Sequence, residues 1–126
     1  MALFKGNVTI KDIPSSEEYL FAEKVNLATR SLFFIPNAQR VKLIITNVAL
    51  YVKIANVLID LSGTERMRID EIRTMKAKKK HQNKKWRTLE ICDPFSIYTF
   101  GVTKEQFEKI IQILLSANPN IIYTEV

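Results

Sequence analysis

The sequence predicts a mainly β domain: an antiparallel barrel or sandwich of about seven strands, capped by one C-terminal α-helix over residues 104–117. Two observations support this fold class. Between residues 40 and 101, short runs rich in β-forming residues alternate with turn residues, which is typical of antiparallel sheets. After the last run comes an amphipathic segment that carries its own helix cap. A chain of 126 residues is long enough for one such domain.

The helix is the best-defined element in the sequence. Thr103 and Gln106 have the spacing of a capping box, in which each side chain satisfies a backbone amide of the other residue. Val102 before the cap and Phe107 after it match a hydrophobic staple. Apolar residues then recur at helical spacing until the Asn-Pro pair at 118–119, which predicts the end of the helix.

Six runs are predicted to be strands. They share a high content of β-branched, aromatic and other apolar residues, with turn-forming residues between them. The clearest of them alternates apolar Leu89 and Ile91 with polar Thr88 and Glu90, so that one face of the strand meets a core. The six runs are residues 41–46, 50–54, 57–61, 67–72, 87–92 and 95–100.

The beginning of the chain allows two interpretations. Residues 14–18 have the composition of a helix cap, and a helix from there would end at Arg30. The alternation of residues 19–27 instead favours a first strand, by a small margin. With either interpretation, we divide the chain into an N-terminal extension (1–16), a single domain (17–117) and a C-terminal tail (118–126).

The positive charge of the chain is concentrated in one segment. The sequence has 19 Lys and Arg against 13 Asp and Glu, a net charge of +6. Residues 73–87 hold eight of the basic residues and no acid, so the other 111 residues carry a net charge of −2. This distribution excludes the uniformly basic coat of a ribosomal or histone-like protein. It predicts a near-neutral body with one strongly positive feature.

Catalysis and cofactor binding have no support in the sequence. The single histidine, His81, sits among lysines, and the single cysteine, Cys92, can form neither a disulfide framework nor a thiolate metal cluster. We find no paired-carboxylate site, no phosphate-binding glycine loop and no metal-ligand spacing. We therefore expect a protein that is not an enzyme and that uses no cofactor and no metal.

Several short motifs, taken in their order along the chain, resemble those of a known family. They are residues 15–20 (SSEEYL), 43–52 (LIITNVALYV), 69–72 (IDEI), and 98–100 (YTF) followed by 104–107 (KEQF). Strands in this order followed by one capped helix resemble the pleckstrin-homology (PH) superfold. The residues of these motifs are most similar to those of its GRAM branch. The resemblance spans most of the chain. It implies a PH-like fold and a binding module for phosphoinositides or other acidic lipids.

The positively charged segment is predicted to form a hairpin. If residues 71–77 and 86–92 are neighbouring strands, residues 78–85 are its tip. Repulsion among the lysines gives the tip little role in folding, whereas an anionic membrane attracts each clustered lysine by about 1 kcal/mol. A solvated hairpin that serves solubility and a nuclear-import signal are the alternative interpretations. The predicted binding residues are Lys76, Lys78, Lys79, Lys80, Lys84, Lys85 and Arg87, with Trp86 as a membrane anchor.

A second candidate feature lies between the first two predicted strands. Residues 32–35 (LFFI) are apolar and are flanked by cations, an arrangement suited to shallow insertion into a bilayer. The resemblance implies that this loop lies beside a lipid-headgroup site, and it adds Arg30, Arg40 and Lys42 to the binding residues. Phe33 and Phe34 are the predicted anchors. The favoured alternative is that these apolar residues belong to the core.

These features lead to three hypotheses of function. The first is recruitment to an anionic membrane surface inside the cell, since the chain begins without the apolar run of a signal peptide. The second is a cytoplasmic or nuclear protein-interaction module that holds acidic segments with the same cations. A similar arrangement, the PH-like domain of a core subunit of transcription factor TFIIH, docks such segments. Nucleic-acid binding ranks third, because few aromatic residues accompany the lysines.

Overall fold

The computed structural model describes residues 13–30, 36–54, 57–59, 66–78 and 85–126. Within these ranges the chain forms nine strands, one 3-10 turn and one α-helix. The elements are β1 (Tyr19–Arg30), β2 (Pro36–Thr46), β3 (Ala49–Ile54), β4 (Val57–Ile59), β5 (Met67–Arg68), the 3-10 turn (Ile69–Glu71), β6 (Thr74–Ala77), β7 (Trp86–Cys92), β8 (Ile97–Thr103), α1 (Lys104–Ala117) and β9 (Ile122–Glu125).

The strands form one mixed sheet that folds into a sandwich. Hydrogen-bonded neighbours follow the order β4-β3-β2-β1-β8-β7-β6-β9, and β5 pairs with β3. The pairs are antiparallel except for β6 with β9, which is parallel. Because the path ends at β4 and β9, the described strands form an open sheet. The predicted mainly β class with one C-terminal helix is confirmed, and the sandwich is the form it takes.

β1 is shared by the two halves of the sandwich. It pairs with β2 along its length and with β8 over residues 26–28. Phe21, Val25 and Leu27 are buried, whereas Lys24 between them is exposed. Alternation with a period of two is the signature of a strand. The structure thus decides between the two interpretations of this segment in favour of the strand.

The core lies between the inner faces of the sheet and α1. Ile110 and Leu114 of α1 lie one helical turn apart, and both are fully buried against the strands. Full burial of a side chain of this size contributes about 1.5–3 kcal/mol to stability. The large, fully buried strand residues of this core are Leu43, Ile45, Leu50, Met67, Met75, Leu89, Ile91 and Phe100.

The predicted capping box and the bounds of α1 are confirmed. Thr103 Oγ1 accepts a hydrogen bond from Gln106 N at 3.2 Å, and Gln106 Oε1 accepts one from Thr103 N at 3.0 Å. The Nε2 atom of the same glutamine donates to the carbonyl oxygen of Lys24 and to the carboxylate of Glu23, both at 3.0 Å. Gln106 therefore begins the helix and also docks it on β1.

One predicted strand is wrong over most of its length. The alternation of residues 67–72 predicts a strand, but only β5 pairs, and the next three residues form the 3-10 turn. Ile69 and Ile72 are three residues apart, so the turn brings both side chains into the core. Asn118 Nδ2 donates to the carbonyl oxygens of Ile69 and Ile72, at 2.9 and 3.4 Å, and holds the turn against the end of α1.

The segment assigned to a C-terminal tail contains β9, which pairs in parallel with β6. Ile121, just before this strand, is buried. The ring of Tyr123 lies 6.5 Å from that of Phe107 on α1, centroid to centroid. β9 therefore covers the edge of β6, and its Tyr123 packs against Phe107 of α1. The predicted domain limits at residues 17 and 117 remain predictions.

Candidate functional site

The hairpin of β6 and β7 carries the positively charged segment, as the sequence predicts. The two strands are antiparallel neighbours, with Lys76 opposite Glu90. A backbone hydrogen bond from Lys78 N to Thr88 O, at 3.0 Å, extends the pairing toward the tip. We call residues 76–87 the basic hairpin. Three of its predicted binding residues lie outside the described residues: Lys79, Lys80 and Lys84.

Glu90 partly neutralises the base of the basic hairpin. Lys76 and Lys78 project from the outer face of the sheet, since Met75 and Ala77 on the same strand are buried. Lys78 Nζ forms an ion pair with Glu90 Oε2 at 3.4 Å, and the two side chains are 31% and 16% exposed. The segment itself contains no acid, so only the pairing of the strands shows that Glu90 reaches these lysines.

Trp86 lies at the base of the basic hairpin between two cations. Lys85 Nζ is 5.5 Å from the centroid of the Trp86 ring, a cation–π distance. Arg87 lies on the side of β7 that also carries the buried Leu89, and its Nη1 donates to Trp86 O at 3.0 Å. The structure thus brings Lys85 and Trp86 together and places Arg87 on the other side of the strand.

The remaining predicted cations lie on other strands. Arg40 and Lys42 are exposed on β2, and Arg40 Nη1 donates to Asn26 Oδ1 at 3.4 Å. From β2 to β6 the sheet crosses four strand spacings, about 19 Å at about 4.8 Å each. The predicted binding residues are therefore divided between two surfaces. Outside the described part of the chain lie the side chains of Arg30, Phe33 and Phe34.

The second surface is a row of three lysines across the first half of the sheet. Lys24 of β1 lies directly opposite Lys42 of β2, which lies directly opposite Lys53 of β3. They project from the outer face, because Val41 and Leu43 on either side of Lys42 are buried in the core. We call these three residues the lysine row. Lys24 and Lys53 are not among the binding residues predicted from the sequence.

The lysine row has no acidic partner among the described residues. Its members form no ion pair with another described residue, whereas Lys78 pairs with Glu90 and Lys109 pairs with Glu23. Arg40, two residues before the middle lysine on the same face, adds a fourth positive charge. Directly opposed like charges destabilise a sheet. The opposed charges of the row therefore do not stabilise the sheet by themselves.

A buried cluster around Glu17 has polar groups but acts within the fold. Glu17 is 9% exposed, and its carboxylate accepts hydrogen bonds from Thr46 Oγ1 at 2.6 Å and Tyr51 OH at 2.8 Å. Arg66 adds an ion pair at 3.2 Å. Burial raises the pKa of Tyr51 above its ordinary value, so its hydroxyl remains protonated and donates. The cluster ties the segment before β1 to β2 and β3.

One further ion pair is local to the segment around the 3-10 turn. Arg68 and Asp70 are joined at 2.8 Å on the surface, and this hydrogen bond lowers the pKa of Asp70. Within the described ranges, no group of three or more His, Cys, Asp or Glu could hold a metal ion. In the same ranges, no helix has the length and apolar content needed to cross a bilayer.

Comparison with known proteins identifies a structural relative. No family model matches the chain, and no curated protein matches its sequence. Among solved structures, the chain is similar to the hSac2 domain from the human phosphoinositide phosphatase Sac2, with a TM-score of 0.61 and 13% identity. The similarity covers 90% of this chain and 80% of that one. The two share a fold. At this identity the likeness does not extend to individual residues.

The two basic surfaces differ in what surrounds their charge. The basic hairpin combines cations with the indole ring of Trp86. Beside the lysine row, the same face of β1 carries Ala22 and Asn26, and Ile44 on β2 is buried. The basic hairpin therefore suits a ligand with both charged and apolar character, such as the headgroup zone of a membrane. The lysine row suits a ligand recognised by charge.

Proposed function

We propose that this protein is a non-enzymatic, PH/GRAM-like binding module that is recruited to anionic membrane surfaces inside the cell through the basic hairpin. The observation that carries the proposal is the pairing of β6 with β7. This pairing brings the described basic residues Lys76, Lys78 and Lys85 of one continuous segment to a single hairpin. The ligand is an acidic lipid, and phosphoinositides are one class of such lipids.

The strength of membrane attraction follows from the number of clustered charges. Each lysine held near an anionic leaflet contributes about 1 kcal/mol, so three lysines contribute about 3 kcal/mol. Glu90 offsets part of this attraction through its ion pair with Lys78. Trp86 adds an amphipathic ring that suits the interface between headgroups and acyl chains, with the ammonium group of Lys85 beside it.

The structural comparison supports a role in membrane binding. The hSac2 domain, with which this chain shares a fold, comes from a phosphoinositide phosphatase. A domain of this fold therefore occurs in a protein that acts on a phosphoinositide. This support concerns the fold, and the contribution of individual cations is a matter for experiment.

Co-sedimentation with lipid vesicles tests the proposal. We expect binding to vesicles of phosphatidylcholine mixed with phosphatidylserine or with a phosphoinositide, and no binding to phosphatidylcholine alone. The hairpin variant combines Lys78→Gln, Lys79→Gln and Lys80→Gln, which removes three charges without placing new acids beside Glu90. Its binding should be about 100-fold weaker, which corresponds to about 3 kcal/mol.

A matched control changes the charge equally on the other surface. The row variant combines Lys24→Gln, Lys42→Gln and Lys53→Gln, and it should retain vesicle binding within about twofold. If the hairpin variant binds like the wild type, or if both variants lose binding equally, the basic hairpin is not the membrane contact. Binding of the wild type should also weaken as salt screens its charges.

A further inference from the structure

We infer that the lysine row is a second binding surface and that it binds an acidic segment of a partner protein. This inference goes beyond membrane recruitment and does not depend on it, because the row lies on β1, β2 and β3 and the basic hairpin is formed by β6 and β7. Along the sheet, β1 and β7 are two strand spacings apart, about 10 Å, and β2 and β6 are four spacings apart, about 19 Å.

The register of three strands produces a line of charge. Lys24, Lys42 and Lys53 occupy the same level of consecutive antiparallel strands, so their Cα atoms form a line across the strands. The outer two strands are about 10 Å apart. Arg40 lies beside this line, and among the described residues its side chain bonds to the neutral Asn26 and to no carboxylate. The surface therefore attracts a ligand with several negative groups.

The open shape of this surface favours a chain over a small molecule. Small-molecule sites are concave and enclose most of their ligand. The lysine row lies instead on the outer face of a sheet, and none of its three lysines lines the cleft between β1 and α1 or the cleft beside the 3-10 turn. An extended peptide projects alternate side chains on one side about 6.8 Å apart. Because lysine side chains are flexible, their ammonium groups can reach carboxylates at that spacing.

The neighbours of the lysine row favour a protein ligand over a nucleic acid or a bilayer. The flanking positions on the same face of β1 are Ala22 and Asn26, and Ile44 on β2 is buried. These positions offer no exposed aromatic ring on which a base could stack. Ala22, Asn26 and Ile44 also offer no large exposed apolar side chain that could enter a bilayer, and the side chain of Leu58, opposite Lys53 on β4, lies outside the described residues. The row therefore recognises its ligand by charge, and a run of carboxylates supplies the opposite charge.

Fluorescence anisotropy with dye-labelled hexaglutamate tests the inference. The neutral comparison is a glycine–serine peptide of the same length, and both are measured in about 0.05 M salt, where charges are screened less than at physiological ionic strength. We expect the wild type to prefer hexaglutamate. The row variant should bind hexaglutamate at least about tenfold more weakly, which corresponds to about 1.4 kcal/mol.

The hairpin variant is the matched control, because its net charge equals that of the row variant. It should retain hexaglutamate binding within about twofold. Three results would overturn the inference: no preference of the wild type for hexaglutamate, equal losses in the two variants, or a loss confined to the hairpin variant. Preferential binding of an oligodeoxythymidine that the row variant abolishes would assign the row to nucleic acid and would also overturn it.

Two further readouts separate binding from folding and from membrane contact. The row variant removes opposed like charges, so its melting temperature should equal or exceed that of the wild type. Loss of hexaglutamate binding with an unchanged or higher melting temperature supports the inference. A row variant that loses vesicle binding while it retains hexaglutamate binding would make the row part of the membrane contact and overturn the inference.

Discussion

Tyr51 shows how strongly single polar groups are tied into this fold. Its side chain is fully buried, and its hydroxyl lies 2.8 and 2.9 Å from the carboxylate oxygens of Glu17 and 3.2 Å from Arg66 Nη1. Tyr51→Phe keeps the ring but removes the hydroxyl, so the buried carboxylate of Glu17 loses one hydrogen-bond donor. We expect this variant to lose about 1–3 kcal/mol of unfolding free energy, measured by urea denaturation.

The same variant should respond differently to pH. Burial raises the pKa of Tyr51 above its ordinary value of about 10. Because the folded-state pKa lies above the unfolded one, the stability gained from the protonated phenol is fully present below about pH 10. It is lost as pH rises through the folded-state pKa. The wild type should therefore lose this stability in alkali and Tyr51→Phe should not, so that the difference between them shrinks.

The control for Tyr51 is Tyr19→Phe, because Tyr19 is 54% exposed. This change should leave the unfolding free energy within about 0.5 kcal/mol of the wild type at neutral pH. A difference between wild type and Tyr51→Phe that stays constant from about pH 8 to about pH 11 would contradict the assigned role of burial.

Among the elements, α1 depends on Gln106 for both its start and its docking. An isolated helix would tolerate Gln106→Glu well, since a glutamate at this position keeps the capping box and suits the helix dipole. In the protein, however, Gln106 also donates to the carbonyl oxygen of Lys24 and the carboxylate of Glu23. A glutamate has no proton for these bonds, and it would repel Glu23. We expect a loss of about 1–2 kcal/mol of unfolding free energy.

Two neighbouring substitutions separate capping from docking. Thr103→Ala removes the other half of the box and should cost about 1 kcal/mol. Glu105→Gln alters an exposed side chain and should change stability by less than about 0.5 kcal/mol. Unfolding in guanidinium chloride compares the three variants. If Gln106→Glu is as stable as the wild type, the two bonds to β1 do not hold the helix in place.

Elements with local signals could be predicted from the sequence, and those that depend on distant partners could not. The bounds of α1 follow from its cap and its apolar spacing, all within one segment. Residues 67–72 alternate like a strand, but their conformation depends on Asn118, which reaches the 3-10 turn from the far end of α1. β9 likewise depends on the edge of β6, and a short edge strand has little signal of its own.

At the scale of the whole molecule, strand order and register distribute the charge. The basic hairpin could be predicted because its residues are contiguous. The lysine row requires the register of three strands, and a slip of one residue in any of them would turn its lysine toward the core. The family resemblance implied that Lys42 is a binding residue. Nothing in the sequence pattern indicated that Lys24 and Lys53 lie beside it.

The lysine row should also determine how the molecule responds to salt. Lys42 faces both Lys24 and Lys53, so Lys42→Gln removes two opposed like-charge pairs. Lys109→Gln makes the same change in net charge but removes an ion pair with Glu23 at 3.3 Å. In low salt, we expect Lys42→Gln to raise the unfolding free energy by about 0.3–1 kcal/mol. Lys109→Gln should lower it by about 0.2–0.5 kcal/mol.

Thermal unfolding at about 0.05 M and about 1 M salt measures both effects, since the Debye length falls to about 3 Å at the higher concentration. Both differences from the wild type should shrink there, because each arises from exposed charges. Shifts in the same direction for the two variants would mean that stability follows net charge. Opposite shifts would mean that the geometry of the row is destabilising in itself. That result would make the lysine row a surface that costs the fold stability, as expected if an anionic ligand compensates for it.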